Sequence, residues 1–316
     1  MGAYVQTCQG DPREAIRGLF GVWQSTEVAD LVQWMCEWNR THRKPKDRLV
    51  FTGFDIQQPE DDGPGLIGFL ERIGSDDASW IAAIEACEGV MVEHFPALVP
   101  EESHQQCLEG LEEIEEHFQR NARTLQRRTS KTDFELAKLR LVGLRAWENE
   151  SFYRGRDEGL SYTSRDEGMA HALRTLRALR FPKSKIAVWA HNSHISRGIH
   201  PLNGARVMGS FLAEALGATY VNVALAAWRV GIDWISLGCG WLSDPLADSL
   251  ERVLRDTGEV ALLLDLDFPG AAEPLLTPGA TYTVGGRPMV PREHFNGLLY
   301  LESSPKMNPT LWPSCQ

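Results

Sequence analysis

The chain has 316 residues, of which 43 are Asp or Glu and 32 are Lys or Arg, so its formal net charge is −11. This acidic balance disfavours DNA, RNA and anionic membranes as partners, because an acidic surface repels a polyanion. A neutral or cationic small molecule is the more suitable ligand. With 43% hydrophobic and 24% charged residues, the composition is typical of a globular protein, and the length allows one large domain or two.

The apolar pattern predicts an α/β fold. Apolar residues at helical spacing run from Val28 to Trp38, behind N-cap candidates at 25 and 26. Five short runs are typical of strands, and several are continuously apolar and separated by helical stretches, as in a parallel sheet covered on both faces. We therefore predict a mainly parallel central sheet flanked by helices. The predicted strands are 49–54, 186–189, 220–223, 260–264 and 298–301.

The middle of the chain has a different pattern. From about 77 to 150 there is almost no strand signal, and the spacing predicts two or three long helices with interruptions near 96–100 and 129–132. We interpret this region as a helical insertion or lobe. The predicted organisation is a start of the α/β core at 1–76, the helical insertion at 77–150, and the remainder of the core at 151–316.

The cysteines and the N-terminal residues indicate a cytoplasmic protein. The six cysteines are scattered without a C-x-x-C pair, which favours reduced thiols in the core or on the surface. Residues 1–8 lack the basic and apolar regions of a secretory signal, and no stretch approaches the roughly 18 apolar residues of a membrane span. The pattern gives no indication of the oligomeric state.

The segment WAHNSH at 189–194 contains the most specific local cluster. It follows the predicted strand 186–189, where an α/β sheet presents its binding crevice. An imidazole titrates near neutral pH, so His191 and His194 could accept a proton from water, donate one to a leaving group or stabilise an oxyanion. The pair therefore favours hydrolytic chemistry, although one structural and one exposed histidine would give the same sequence.

Three further residues are candidates for orienting the reactants. Asp55 and Gln57 follow the predicted strand 49–54 and should lie at the same sheet edge. A carboxylate near an imidazole fixes its tautomer, so Asp55 is a candidate orienter, although Asp is also common in turns after strands. Arg165 and Asp166 stand at a predicted helix start, where an arginine opposes the helix dipole. Arg165 is thus expected to bind a carboxylate or a substrate oxygen, while Ser164 and Asp166 are candidates for capping the helix.

Other common sites are absent from the sequence or less well supported. The G-x-G-x-x-G pattern at 63–68 follows acidic residues instead of a strand, so it does not indicate a dinucleotide site. Neither G-x-S-x-G nor a P-loop motif occurs. No cofactor and no bound metal are expected. A metal held by the two histidines and Asp55, or a thiol nucleophile at Cys239, remain weaker alternatives.

Taken in order, these motifs resemble the erythromycin esterase family. Several separated blocks are more specific than any single one, and they extend over nearly the whole chain. The blocks are 10–15, 23–27, Trp34, Met35 and Asn39, then GFDIQ at 53–57, RDEGMA at 165–170, WAHNSH at 189–194 and VMG at 207–209, with the last match near 298–301.

The resemblance implies an α/β core with helical lobes around a large cleft, and the hydrolysis of an ester. In some members the ester is the macrocyclic lactone of macrolide antibiotics, which confers antibiotic resistance. A histidine would act as general base on water, without a covalent acyl intermediate. By this resemblance His191 and His194 are the catalytic candidates. The substrate-binding or orienting candidates are Asp55, Gln57, Arg165, Asn192 and Met208.

The sequence departs from the family pattern in two places. Family members carry a G-E-x-[TS]-H-G segment that supplies the proposed base, and none of the nine histidines here lies in such a setting. His171 and Ala172 also stand where relatives usually have an acidic residue and an Asn. We therefore expect an N-terminal catalytic segment to be lacking and hydrolysis by this chain alone to be weak. The alternative is a non-catalytic binding or structural member of the same family.

Overall fold

The structure is a computed structural model that describes residues 1–57, 61–75, 77–93, 99–200, 203–234, 238–243, 249–268, 282–284, 287–306 and 308. Most of the described residues lie in helices. The helices are α1 (Gly2–Thr7), α2 (Pro12–Ala15), α3 (Thr26–Thr41), α4 (Asp62–Arg72), α5 (Ala78–Glu93), α6 (Glu101–Arg128), α7 (Lys131–Tyr153), α8 (Glu158–Arg180), α9 (Asn192–Ile195), α10 (Met208–Leu216), α11 (Leu250–Arg255) and α12 (Pro291–His294). The strands are β1 (Val223–Trp234), β2 (Gly238–Ser243), β3 (Ala261–Asp265), β4 (Tyr282–Val284), β5 (Arg287–Met289) and β6 (Gly297–Ser304).

The strands form a four-stranded sheet in the order β2-β1-β6-β3 and a separate pair of β4 with β5. β1 pairs with β2 in antiparallel register, and β3 pairs with β6 in the same way, with Leu263 opposite Leu299. The pair of β4 and β5 is also antiparallel. The α/β class with a helical lobe is confirmed, but the predicted mainly parallel sheet is wrong. The continuous apolar runs suggested two covered faces, whereas Leu263 in β3 is 74% exposed.

Two of the five predicted strands are confirmed, since 260–264 lies largely in β3 and 298–301 lies in β6. The run 220–223 contributes only its last residue, to β1, and the runs 49–54 and 186–189 are not strands. A strand needs a backbone partner as well as an apolar composition. At Leu49, the first residue of the run 49–54, a side chain takes the place of a neighbouring strand. The amide of Asn39 accepts from the Leu49 N–H at 2.7 Å and donates to the Leu49 carbonyl at 2.8 Å.

The described residues divide into two compact units. The first comprises Met1–Gly53, Leu225–Met289 and Gly297–Gln316, and the second comprises Phe54–Ala224 and Val290–Asn296. The predicted helical region 77–150 lies within the second unit as α5, α6 and most of α7, and its described residues contain no strand. Among the helices that the structure describes, none has the length and hydropathy needed to cross a membrane.

In the first unit, Asn39 joins α3 to two other segments. Its buried side chain donates to the carbonyl of Val5 at 2.9 Å, in addition to its two hydrogen bonds with Leu49. One amide thereby binds three backbone groups near an apolar cluster, and the carbonyl of Leu49 also accepts from the side chain of Gln6 at 2.7 Å. That cluster consists of Val5, Ile16, Ala29 and Val32.

In the second unit, helices α4–α7 surround an apolar core in which Phe69, Phe118 and Phe134 pack against one another. The same helices enclose an ionisable pair, in which His104 Nδ1 lies 3.1 Å from Glu148 Oε1. Burial raises the pKa of Glu148 to about 7 and lowers the pKa of His104. Both groups therefore favour their neutral forms in the folded protein.

Two disulfides cross-link helices that are distant in sequence. Cys8 pairs with Cys36, and Cys87 pairs with Cys107. The expectation of reduced thiols is therefore wrong for these four residues. Their separations of 28 and 20 residues form no recognisable motif, and only the packing of the helices brings the Cα atoms to 5.5 and 5.2 Å. The side chains of Cys239 and Cys315 lie outside the described residues.

We predict that Asn39→Ala lowers the free energy of unfolding by about 2–4 kcal/mol, because it removes three hydrogen bonds and leaves buried backbone groups without this partner. Urea denaturation followed by circular dichroism measures the change. The matched control is Gln33→Ala on the exposed face of the same helix, for which we expect a change below about 0.5 kcal/mol. Equal losses for the two variants would contradict this role of Asn39.

We also predict that Glu148→Gln stabilises the protein as the pH rises. The carboxyl group titrates near 4.5 in the unfolded chain and near 7 in the folded one, so the wild type loses stability between these values as the pH increases. Glutamine cannot ionise. Its advantage over the wild type should be small at pH 5 and reach up to about 3 kcal/mol at pH 8.

Urea denaturation at the two pH values tests this prediction. Glu112→Gln, at an exposed position of α6, is the control and should show the same difference from the wild type at both pH values. A Glu148→Gln difference that does not change with pH would show that the wild-type carboxyl group keeps an ordinary pKa.

Candidate functional site

A buried carboxylate and an imidazole form the centre of the site. Asp166 on α8 is fully buried, and His194 on α9 is 8% exposed. His194 Nδ1 lies 3.0 and 2.9 Å from the two carboxylate oxygens of Asp166. Since an ionised carboxylate can only accept, Nδ1 carries a proton, and in the neutral ring the lone pair is on Nε2.

The carboxylate of Asp166 also binds the start of α10. The backbone N–H of Met208, the first residue of that helix, donates to Asp166 Oδ1 at 2.6 Å. Val207, at the N-cap position, makes no side-chain cap, so Asp166 on another helix performs this function. The positive end of the α10 dipole favours an anion at this position. One carboxylate therefore connects α8, α9 and α10.

The second imidazole begins α9. His191 Nδ1 accepts the backbone N–H of Ser193 at 3.2 Å, which makes His191 the N-cap of this helix. The hydroxyl of Ser193 lies 2.8 Å from the same Nδ1. His191 is exposed, in contrast to the buried His194.

Tyr162 lies between the two imidazoles. Its ring stacks on His194 with centroids 5.1 Å apart and an interplanar angle of 11°. Its hydroxyl is 2.8 Å from Ser193 Oγ and 3.4 Å from His194 Nε2. The hydroxyl groups of Tyr162 and Ser193 thus connect the buried histidine to the exposed one. On its other side Tyr162 contacts the ring of the buried His200.

Gly209 permits the close approach of α10 to the segment that carries His194. A Cβ atom at Gly209 would overlap the carbonyl oxygens of Ile195 and Ser196. Both oxygens belong to the backbone, which cannot move aside as a flexible side chain can. The glycine is therefore required for the packing that brings His194 to Asp166.

A second polar cluster lies around Arg165, the neighbour of Asp166. Arg165 donates to both carboxylate oxygens of Asp55, at 3.1 and 2.7 Å. Gln57 and Arg154 both donate to Glu150 Oε1, at 3.1 and 2.8 Å. Burial opposes the charge of Arg165, but the hydrogen bonds and charge of Asp55 outweigh this effect and raise its pKa. Burial raises the pKa of Glu150.

The sequence-predicted residues are distributed over these two clusters. Asp55, Gln57 and Arg165 lie in the second one, whereas His191, Asn192 and His194 lie on α9 and at its N-cap. Among the described contacts, Asp55 makes no hydrogen bond to either imidazole, and its partner is Arg165. The carboxylate that contacts His194 is that of Asp166, for which the sequence predicts only a helix-capping role.

The helix start expected near Arg165 is wrong. α8 begins at Glu158 with Asp157 as its N-cap, so Asp166 lies well inside the helix. Helical spacing could have identified Asp166, because 162, 166, 169, 170 and 173 lie on one face and the last three are apolar and buried. A charged residue on an apolar helix face indicates a buried charge that has partners. The same spacing places Tyr162 one turn before Asp166 on this face.

Met208 also borders a groove of about 750 Å³. Segments 184–188 and 219–223 line it together with parts of α8 and α10, and its described lining includes Ile195 and Met208 but neither His191 nor His194. Met208 thus binds Asp166 through its backbone N–H and is one of the residues that line a mostly apolar groove.

The fold and this site define a mixed α/β protein with paired histidines, one of which is held by a buried carboxylate. The chain belongs to the erythromycin esterase family, whose model matches residues 1–304. No curated protein matches the chain.

Three solved structures show a similar fold. A protein from Bacillus cereus has a TM-score of 0.74 and 17% identity, covering 98% of this chain and 79% of the other. A succinoglycan biosynthesis protein has a TM-score of 0.70 and 16% identity, with coverages of 98% and 77%. A histidine mutant of the erythromycin esterase EreC in its open conformation has a TM-score of 0.67 and 16% identity, with coverages of 98% and 82%. At such identities the likeness is one of fold.

We predict that Gly209→Ala destabilises the second unit by roughly 1–3 kcal/mol, because the added methyl group overlaps backbone atoms. In an open helical position the same change would stabilise by about 1 kcal/mol. Gly68→Ala in α4 is the matched control, because an added Cβ there meets only the end of the Arg72 side chain at 3.8 Å. Urea denaturation should give opposite signs for the two variants, and a stabilising Gly209→Ala would contradict the close packing.

Proposed function

We propose that this protein is an esterase that hydrolyses an ester or lactone with water as the nucleophile, and that His191 and His194 supply the acid–base chemistry. The observation that supports this most strongly is the pair of Asp166 and His194. A buried carboxylate orients the imidazole, and in the neutral ring the lone pair on Nε2 remains available to accept a proton.

In the proposed reaction, His194 takes the place of the histidine of the family's G-E-x-[TS]-H-G segment, which this sequence does not contain. It removes a proton from water as the water oxygen attacks the carbonyl carbon. The carbonyl π electrons move to oxygen and form a tetrahedral oxyanion. When this intermediate collapses, the bond to the alkoxy oxygen breaks, and the leaving oxygen takes a proton from an imidazole. The carboxylate of Asp166 stabilises the imidazolium that forms between these steps and remains ionised throughout.

The sequence contains no G-x-S-x-G motif, which favours direct attack by water. Ser193 is the alternative nucleophile that the geometry suggests, because its hydroxyl lies 2.8 Å from His191 Nδ1. A serine mechanism would form an acyl-enzyme and release the alcohol in a burst before steady-state turnover. The presence or absence of this burst of alcohol therefore distinguishes the serine mechanism from direct attack by water.

The net charge of −11 favours a substrate that carries a positive charge, such as an amine. Because the similar structure EreC is an erythromycin esterase, we include macrolide lactones among the proposed substrates. Asp55, Gln57 and Arg165, with Asn192 and Met208, are proposed to bind or orient the substrate. We propose a small-molecule ester as the partner. The disulfides Cys8–Cys36 and Cys87–Cys107 remove the cysteine argument for a cytoplasmic location, because disulfides are rare in that compartment.

We predict that His194→Gln and His191→Gln each reduce kcat/KM for ester hydrolysis by about 100- to 10,000-fold. The assay uses nitrophenyl esters and a macrolide lactone, with product detected by absorbance and by mass spectrometry. His42→Gln, at the partly exposed C-cap of α3, is the control and should retain the wild-type rate.

Hydrolysis that neither substitution affects would contradict the proposal. A wild-type protein that binds the macrolide in calorimetry but does not hydrolyse any of the esters would instead support the non-catalytic binding alternative. A burst of alcohol that disappears in Ser193→Ala would replace water by Ser193 as the nucleophile.

A further inference from the structure

We infer that His191 and His194 are held in opposite tautomers, so that His194 presents a lone pair at Nε2 and His191 presents an N–H at Nε2. In the hydrolysis, His194 is then the base and His191 the hydrogen-bond donor to the oxyanion or leaving oxygen. Asp166 and Ser193 are the positioning residues that impose this difference. The roles rest on the proposed function, whereas the tautomers follow from hydrogen bonding alone.

The tautomer of His194 follows from its partner. Both oxygens of Asp166 lie within 3.0 Å of Nδ1, and a carboxylate has no hydrogen to donate when ionised. The Met208 N–H donates to the same carboxylate at the start of α10, where the helix dipole attracts a negative charge. An unprotonated Nδ1 would direct its lone pair at a buried negative charge, which is strongly unfavourable. The ring proton of neutral His194 is therefore on Nδ1.

The tautomer of His191 follows from the opposite kind of partner. Its Nδ1 accepts the backbone N–H of Ser193 at 3.2 Å, and that amide always carries its hydrogen. The lone pair of His191 is therefore on Nδ1, and the proton of the neutral ring is on Nε2. Ser193 Oγ, 2.8 Å from the same nitrogen, must then also donate to it.

These two assignments determine the direction of the connecting hydrogen bonds. Ser193 donates its only hydroxyl hydrogen to His191, so the 2.8 Å contact with Tyr162 requires the tyrosine hydroxyl to donate to Ser193. The oxygen of Tyr162 then faces His194 Nε2, at 3.4 Å, as an acceptor. In this arrangement Tyr162 does not donate to His194, so the lone pair of neutral His194 remains available for a water proton.

The test is a long-range ¹H–¹⁵N correlation spectrum of protein labelled with ¹⁵N-histidine, recorded over a series of pH values and interpreted where the imidazole signals no longer change as the pH rises, so that the rings are neutral. The coupling pattern identifies which nitrogen carries the proton, and His191→Gln and His194→Gln assign the two signals. We expect an Nδ1–H form for His194 and an Nε2–H form for His191. The same tautomer at both positions, or the reverse assignment, would overturn the inference.

Asp166→Asn provides a second measurement. Its amide group can donate to Nδ1, so we expect His194 to change to the Nε2–H tautomer while His191 keeps its own. Where ester hydrolysis is detected in the wild type, kcat should fall by about 100- to 10,000-fold with little change in KM, because the base has lost its lone pair. Asp157→Asn at the N-cap of the same helix is the control and should leave both tautomers and the rate unchanged.

The two proposals fail in distinguishable ways. Opposite tautomers in a protein without esterase activity would sustain this inference and contradict the proposed function. An active esterase in which His194 carries its proton on Nε2 would contradict the inference alone. The wild-type spectrum decides the tautomers even if the Asp166→Asn protein does not fold.

Discussion

The carboxylate of Asp166 is the constraint on which the arrangement of the site depends. A fully buried charge is costly unless donors surround it, and these donors come from the His194 imidazole and the Met208 backbone. The three residues belong to different helices. A displacement of α9 or α10 relative to α8 would remove one of the two donor groups from the charge. The same carboxylate therefore fixes the orientation of the imidazole and the positions of α9 and α10.

Two other buried carboxyl groups of the second unit, those of Glu148 and Glu150, have different partners from Asp166. Glu150 faces Arg154 and Gln57, whereas Glu148, two residues earlier on α7, faces His104 and favours the protonated form. The donors available to each group decide this difference. Asp166 faces a backbone N–H at a helix start and an imidazole N–H, and both donors suit an anion.

The sequence predicted part of the site because some of its signals are local. His191 and His194 lie three residues apart in one short segment, and Arg165 was expected to have a carboxylate partner, which in the structure is Asp55. The sequence does not reveal the role of Asp166 when the helix is predicted to begin at 165. With that start, a residue inside the helix is interpreted as a cap. With the correct helix start at Glu158, Asp166 lies on a mostly apolar face together with 162, 169, 170 and 173. That position indicates a buried charge.

Composition, local periodicity and the order of motifs are sufficient to predict the α/β class, the helical nature of 77–150, two of the strands and the family. The pairing of β3 with β6, the two disulfides and the carboxylate that orients His194 depend on tertiary contacts. Each of these joins residues that are remote along the chain, such as Asp166 with Met208 or Cys87 with Cys107. Their contact is a property of how helices and strands pack, which no local pattern records.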